Sequence, residues 1–395
     1  MTLSIHEFTH ITVYPTSTIG KGDSIYYSFS TYSIHLRHRR AKLNQDFLDI
    51  PRLAPYYSSH PIADHNLCSA IYCGLIFPHY GHFLSESIHR LWPIDRLPSN
   101  LPLLFIPLST DLYSIDSISR NHRYIIEFFA LLDIPLERIH ILTEPISVSQ
   151  LYVPSQASYL GPRNQISRSY IDILNNRQKL FFSAKFTSIP RLAVYRPNIN
   201  RPGARGSIAG QRCLYMALSN VGFYCTDMLN LPLSYQVDLL SSCSDLVITE
   251  SSAIHTLELF GTIHSRVTIL HRGGYPSRQL KSYIKLLRSR KSYYRILKSS
   301  FVFPPIQFIV NHLGRTQLNR RLAISVLSPN SLSKLIREYH LDNSLFLLYY
   351  IASIRDILFF VFRELCHLFL FCMHFIPYLL WTITLKFYTL FSPLS

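Results

Sequence analysis

Apolar and polar positions along the chain fall into short runs that alternate between two periods. Leu103–Ile106, bracketed by Pro102 and Pro107, has the length of a buried strand, and Tyr124–Leu132 after it has helical spacing. Ile139–Leu142 and Leu151–Val153, the latter ended by Pro154, return to strand. A polar helical stretch follows at Tyr170–Phe182, and the alternation then resumes. Its elements are strand Arg191–Tyr195, helix Cys213–Val221, strand Phe223–Cys225, a helix from about Ser234 to Cys243, strand Asp245–Thr249, helix His255–Phe260 and strand Val267–Leu270. Alternation of this kind predicts parallel sheets covered by helices, an α/β fold in two halves joined near residues 155–190. Residues 1 to about 65 are rich in Tyr, Ser and His, with short alternating runs such as Ile25–Phe29, and read as strands and loops at a domain edge.

Two later segments differ in kind. Residues 281–298 hold seven Lys or Arg and no acid, with apolar pairs at Tyr283/Ile284, Leu286/Leu287, Tyr293/Tyr294 and Ile296/Leu297. This pattern predicts a basic amphipathic helix, suited to an anionic lipid surface or nucleic acid, or else packed on its own domain. From Leu345 the chain becomes strongly apolar, and 21 residues between Glu364 and Lys386 carry no formal charge. About 20 apolar residues span a bilayer, but His367, His374 and Pro377 interrupt this stretch and Arg355, Asp356, Arg363 and Glu364 precede it, so a helix pair lying in the interface or packed on the domains stands beside a true span, with peripheral membrane attachment the expectation. The chain therefore divides into residues 1–155, 156–280, a connecting segment 281–344 and an apolar helical tail 345–395.

Composition narrows the classes. With 395 residues, 48% apolar and 13% aromatic, the chain can bury a core and is not a disordered polymer. Its formal charge of +16 points to anionic partners: a nucleoside diphosphate, nucleic acid or an anionic membrane face. The seven cysteines show no Cys-x-x-Cys spacing, the first fifteen residues lack a continuous apolar core and there is no Asn-x-Ser/Thr sequon. A reducing, cytoplasmic compartment is the expectation. Nucleic acid is not an expected partner, because no recognition motif accompanies the charge.

No phosphate loop, nucleophile elbow or kinase signature occurs. One His-Glu-x-x-His lies at residues 6–10, but it runs into Ile11-Thr12-Val13-Tyr14 and reads as a strand, not the helix that a zinc site needs. Asp-x-Asp is also missing, so a bound diphosphate would need Arg, Lys or helix N-termini rather than a metal.

Three constellations remain. In Pro78-His79-Tyr80-Gly81-His82 and the helix predicted after it, His82, Glu86, His89 and Arg90 share one face. A carboxylate one turn from an imidazole orients the ring and raises its basicity, which suits a general base. The alternative is a surface helix with His82–Glu86 and Glu86–Arg90 pairs. The second is the loop after strand Arg191–Tyr195, where Arg196, Arg201 and Arg205 form an anion clamp or a solvated basic loop. The third is Glu250-Ser251-Ser252 at the end of strand Asp245–Thr249, which can take a phosphate and ribose hydroxyls or simply cap a helix.

The order of these blocks resembles glycosyltransferase family 61, the group that includes capsular polysaccharide biosynthesis enzymes. The resemblance is carried by His82-Phe83-Leu84-Ser85-Glu86-Ser87-Ile88-His89-Arg90-Leu91 and by Val194-Tyr195-Arg196 with Arg201 and Arg205. Gly222-Phe223, the helix with Gln236, Ser244-Asp245 and Ser251-Ser252-Ala253-Ile254-His255 complete it over about residues 68–275. It implies two Rossmann-like domains facing a cleft, a GT-B-like arrangement, with acceptor-side residues 1–155 and nucleotide-sugar-binding residues 156–280. The implied reaction is inverting, metal-independent hexosyl or pentosyl transfer from a nucleotide sugar to a hydroxyl of a saccharide or lipid-linked saccharide, with no cofactor. His82 oriented by Glu86 would be the base, with His79 as the competitor. Arg196, Arg201 and Arg205 would neutralise the diphosphate, while Glu250, Ser251, Ser252 and His255 would line the nucleotide side. The rival classes are a catalytically inactive membrane-associated scaffold and a nucleic-acid-binding protein.

Overall fold

A computed structural model of the chain describes residues 3–13, 27–29, 32–34, 65–144, 146–158, 166–181, 189–196, 207–272, 278–303, 324–362, 365–366 and 369. The strands are β1 (Ile5–Val13), β2 (Tyr27–Phe29), β3 (Tyr32–Ile34), β4 (His65–Ile76), β5 (Leu103–Pro107), β6 (Ile139–Ile141), β7 (Ile146–Pro154) and β8 (Arg191–Val194). They continue with β9 (Ser207–Ile208), β10 (Tyr224–Thr226), β11 (Asp245–Thr249), β12 (Arg266–Leu270), β13 (Tyr294–Leu297), β14 (Ser299–Phe303) and β15 (Ile324–Leu327). The fold is mixed α/β, built on two larger sheets of mostly parallel strands.

The first sheet runs β3-β2-β1-β7-β4-β5-β6. Strands β4 to β7 are mutually parallel, while β1 lies antiparallel to β7, from Ile5 opposite Pro154 to Val13 opposite Ile146. β1 carries the His-Glu-x-x-His residues on a strand, with His6 Nε2 bonded to Ser4 Oγ at 2.9 Å. β5 is buried at all five positions, as expected of a strand covered on both faces.

The second sheet is wholly parallel, in the order β10-β8-β11-β12-β13. Counted along the chain from β8, that order is second, first, third, fourth, fifth. The strand order reverses between β8 and β11, and in open sheets of this kind ligands bind in the crevice outside the carboxyl ends of the strands at such a point. One face of this sheet packs on helices Leu233–Ser242 and Arg278–Ser289, and the other on helices Gln211–Asn220 and Pro329–Tyr339. A small third sheet, β14-β15-β9, flanks it.

A single hydrophobic cluster joins the two large sheets. Ile71 and Phe105 of the first sheet and Ile248 and Ile269 of the second belong to it, together with Phe83, Phe128 and Leu257 between them. The facing surfaces are thus packed against each other through the helices that cover them.

The basic segment differs from its predicted form. The helix is Arg278–Ser289, and its apolar face, Leu280, Tyr283, Leu286 and Leu287, is buried in that shared cluster. Lys291, at φ 57°, turns the chain, and Tyr294–Leu297 becomes β13 at the edge of the second sheet. β-branched and aromatic side chains favour this half of the segment as strand.

Helix Leu345–Phe362 is long and apolar enough to cross a membrane by length and composition, with a mean hydropathy of 1.9. Leu345, Tyr349, Ser353 and Phe360 are buried on the opposite side of the second sheet from the basic helix. The uncharged stretch beyond Glu364 lies outside the described residues except for Leu365, Cys366 and Phe369, which are helical and exposed.

Candidate functional site

Strand β4 contains a bulge between Tyr72 and Gly74. Gly74 has φ 92°, a backbone conformation open to glycine, and a Cβ there would meet Arg90 Cδ at 3.4 Å. The extra residue inverts the alternation: Cys73 and Ile76 face the shared cluster while Tyr72 and Leu75 face the other side. The strand end is thereby re-aimed, and Phe77-Pro78-His79 leads across the seam between the sheets.

The following segment is not the regular amphipathic helix of the sequence pattern. Tyr80–His82 forms one α turn, Phe83–Ser87 is π-helical and Ile88–Arg90 is 3-10 helical. Every residue from Phe83 to Arg90 is buried, so the surface-pair reading does not hold. π-helical turns are uncommon and concentrate at functional sites. The face expected to carry four polar side chains is divided accordingly. His89 Nδ1 bonds Tyr170 Oη at 3.0 Å, and Arg90 donates to the Pro154 carbonyl and lies over the Tyr72 ring.

His82 and Glu86 stay together. His82 Nδ1 is 2.6 Å from Glu86 Oε1, with the carboxylate fully buried and the imidazole 38% exposed. A buried carboxylate at that distance sets Nδ1–H as the donor and leaves Nε2 as the basic nitrogen. The exposed His79 ring lies 5.0 Å from the His82 ring, and Phe77 packs at 5.6 Å on it.

The blocks from the second half come to the same place. After β11 the chain forms a 3-10 helix, Ser252–Leu259. A Cβ on Gly81 would lie 2.9 Å from His255 Cδ2, 3.1 Å from Ser252 Cβ and 3.5 Å from His79 Cε1. Gly81 therefore marks where His79 and His82, Ser252 and His255 converge, and a Cβ there would force the His255 ring or Ser252 to shift. Tyr80 Oη donates to Gln236 Oε1 at 2.8 Å and pairs with Thr256 Oγ1 at 2.6 Å, and burial pushes its pKa up. Tyr283 Oη donates to the Ser251 carbonyl at 3.1 Å, and its ring packs 5.2 Å from that of His255. His255 Nδ1 is buried with no hydrogen-bond partner among the described residues, Glu258 Oε1 being 3.7 Å away.

At the crevice between β8 and β11, Tyr215 Oη donates to the Val194 carbonyl at 2.8 Å and meets Thr249 Oγ1 at 2.9 Å. Gln211 bridges the same two strand ends, donating to the Arg196 carbonyl at 2.7 Å and accepting from Thr249 at 3.3 Å. Arg196 thus stands at the crevice, half-buried. Arg201 and Arg205 lie outside the described residues.

Glu250 does not face solvent. It is 4% exposed, 2.6 Å from His271 Nδ1, and accepts the Arg272 backbone N–H at 3.1 Å. Burial alone would raise its pKa; the His271 hydrogen bond and the nearby His271 and Arg272 charges outweigh that and hold it below the ordinary glutamate value. Glu250 is therefore held in place at the β11–β12 end through its Oε2.

Sequence reasoning named Tyr80 and Gln236 only as parts of motifs, without a role at the site, and missed His271 and Tyr283. His271 ends β12 just as Glu250 ends β11, and that parallel placement was the available signal. The others are ordinary core or helix residues until the two halves are brought together. Among the described residues no group of three or more His, Cys, Asp or Glu is arranged to hold a metal ion. Neither protein-family models nor curated proteins match this chain.

Proposed function

We propose that the chain is a glycosyltransferase similar to family 61, moving a sugar from a nucleotide-sugar donor to a saccharide or lipid-linked saccharide hydroxyl, with inversion and without a metal. The observation that carries this reading is the convergence at Gly81: an imidazole–carboxylate pair, His82–Glu86, beside Ser252 and His255 from the other sheet. On this reading the two sheets are the halves of a GT-B-like pair, and the β8–β11 crevice with Arg196 receives the donor diphosphate.

The chemistry follows from the residues. The acceptor oxygen attacks the anomeric carbon, the bond from that carbon to the diphosphate oxygen breaks, and the acceptor proton passes to His82 Nε2. Glu86 stabilises the imidazolium formed, since it already holds Nδ1. Arg196, with Arg201 and Arg205 on the same loop of the sequence, offsets the charge that builds on the leaving diphosphate. Ser251, Ser252 and His255, whose buried Nδ1 has Glu258 Oε1 at 3.7 Å, line the nucleotide side. Glu250 acts by fixing His271 and the Arg272 backbone. The place of action is the cytoplasmic face of a membrane.

A thermal-shift panel of nucleotides and nucleotide sugars, with and without EDTA, tests this on the protein and on Arg196→Ala. A ligand at about 100 times its dissociation constant adds roughly 2.7 kcal/mol of stability. An EDTA-insensitive shift with one donor, lost in Arg196→Ala, is expected. His82→Gln then abolishes transfer without weakening that shift. No shift with any nucleotide would move the reading to an inactive scaffold. That second reading has one observation on its side: the seam around Gly81 is closely packed, and a cavity of about 320 Å³ lies elsewhere, at Asn66, Leu104, His140 and Glu144.

A further inference from the structure

The two sides of helix Leu345–Phe362 are made for different surroundings. Its inner side is fastened to the sheets by hydrogen bonds as well as by packing. Tyr349 Oη accepts the Leu327 N–H at 3.0 Å, Tyr350 Oη donates to the Leu327 carbonyl at 3.1 Å, and Asp356 Oδ2 accepts the Gly210 N–H at 2.9 Å. Opposite, Leu347, Ile351, Ile354, Leu358 and Phe362 are each more than half exposed. Successive spacings of 4, 3, 4 and 4 residues keep these five side chains in one stripe along the helix.

We propose that this stripe inserts into one leaflet of a lipid bilayer, with the helix lying in the membrane plane and not crossing it. To cross, the helix would have to leave the sheets, breaking the hydrogen bonds just named and exposing to water the apolar cluster that holds Leu345, Tyr349 and Phe360. A second copy of the chain is the less suitable occupant. Paired helices are matched by charges flanking the apolar seam, and between Leu345 and Phe362 the only charged residues are Arg355 and Asp356, which pair with each other at 2.8 Å. The sequence continuing from the helix is also suited to lipid, with 21 uncharged, largely apolar residues after Glu364. The basic helix Arg278–Ser289 packs on the other face of the sheet, so apolar burial rather than its charge drives the docking.

This deepens the membrane placement proposed above, and its readout needs no donor sugar, so it survives or fails independently of sugar transfer. The full-length chain is co-sedimented with phosphatidylcholine vesicles, with and without phosphatidylglycerol, at low and high salt. Partition onto pure phosphatidylcholine that persists at high salt is expected, with a fall of about tenfold or more in Ile351→Asp/Leu358→Asp and no change in Leu229→Asp, an exposed leucine elsewhere. A tryptophan introduced as Leu358→Trp should add emission quenched by lipid brominated close to the headgroups. Unchanged partition of the double variant, binding that needs phosphatidylglycerol and vanishes with salt, or a dimer that the double variant dissolves in place of vesicle binding would each overturn the proposal.

Discussion

Gly81→Ala tests whether the two halves of the candidate site meet as described. Two effects oppose each other. Alanine in place of glycine in a helical turn gains about 1 kcal/mol, and Gly81 has no positive φ to forbid it. Against this, the added methyl lies 2.9 Å from His255 Cδ2 and 3.1 Å from Ser252 Cβ, well inside the roughly 3.5–4.0 Å of an ordinary carbon contact. The His255 ring cannot simply swing away, because the Tyr283 ring packs 5.2 Å from it and Glu258 lies close on its Nδ1 side. Overpacking of this kind costs about 1–3 kcal/mol, so a net loss of about 1–2 kcal/mol is expected. Urea unfolding followed by the fluorescence of Trp92, buried beside Tyr170, reads it directly. The decisive arm is the double-mutant cycle: in a His255→Ala background the cost of Gly81→Ala should fall by at least about 1 kcal/mol. An equal cost in both backgrounds, or none in either, would show that the segment after β4 does not rest on the Ser252–Leu259 helix.

Further outcomes are expected of the contacts around that seam. Tyr80→Phe removes the hydroxyl shared by Gln236 and Thr256 and should cost about 1–2 kcal/mol in urea unfolding; its low end reflects the 3.4 Å approach of Thr256 to Gln236, which survives the change. Because the Glu250 carboxyl is held below its ordinary value of 4.5, its contribution is complete above that pH and is lost as the pH falls towards its lower folded value. Wild-type stability should therefore drop with acid more steeply than that of Glu250→Gln, which at neutral pH loses about 1.5–3 kcal/mol; parallel acid profiles would remove the His271 pairing. Glu127→Ala should destabilise by about 1 kcal/mol, since Glu127 Oε2 accepts the Leu233 N–H at the start of helix Leu233–Ser242 at 2.8 Å.

What was legible in the sequence is what depends on local pattern. Leu103–Ile106, Asp245–Thr249 and Val267–Leu270 read as strands because their runs are apolar on both faces and bounded by turn residues. The helix at Tyr124–Leu132 showed its periodicity plainly, and is Arg123–Leu131. The His82–Glu86 pair was visible as a spacing of four, and the π-helical turn still brings the two together. What failed depends on long-range placement. Residues 281–298 have uniform charge, and only the open edge beside β12 decides that Tyr294–Leu297 completes a sheet. Glu250 looked available because its partner His271 is 21 residues on, brought near by parallel pairing of β11 with β12. The strand order of the second sheet, and hence the crevice at Arg196, has no local signature at all.

The fastening of helix Leu345–Phe362 has a practical consequence for anyone shortening this chain. Ending the chain before Leu345 looks like the removal of a greasy appendage, but Tyr349 and Phe360 belong to the hydrophobic cluster on the outer face of the second sheet. Such a fragment would expose that cluster and leave the Gly210 amide without its acceptor one residue from Gln211, which bridges the strand ends at Arg196. Solubility and an intact crevice are thus not separable by truncation at this point. Replacing outward-facing leucines and isoleucines along the helix, while keeping its inner side, is the route that leaves the rest of the molecule as it is.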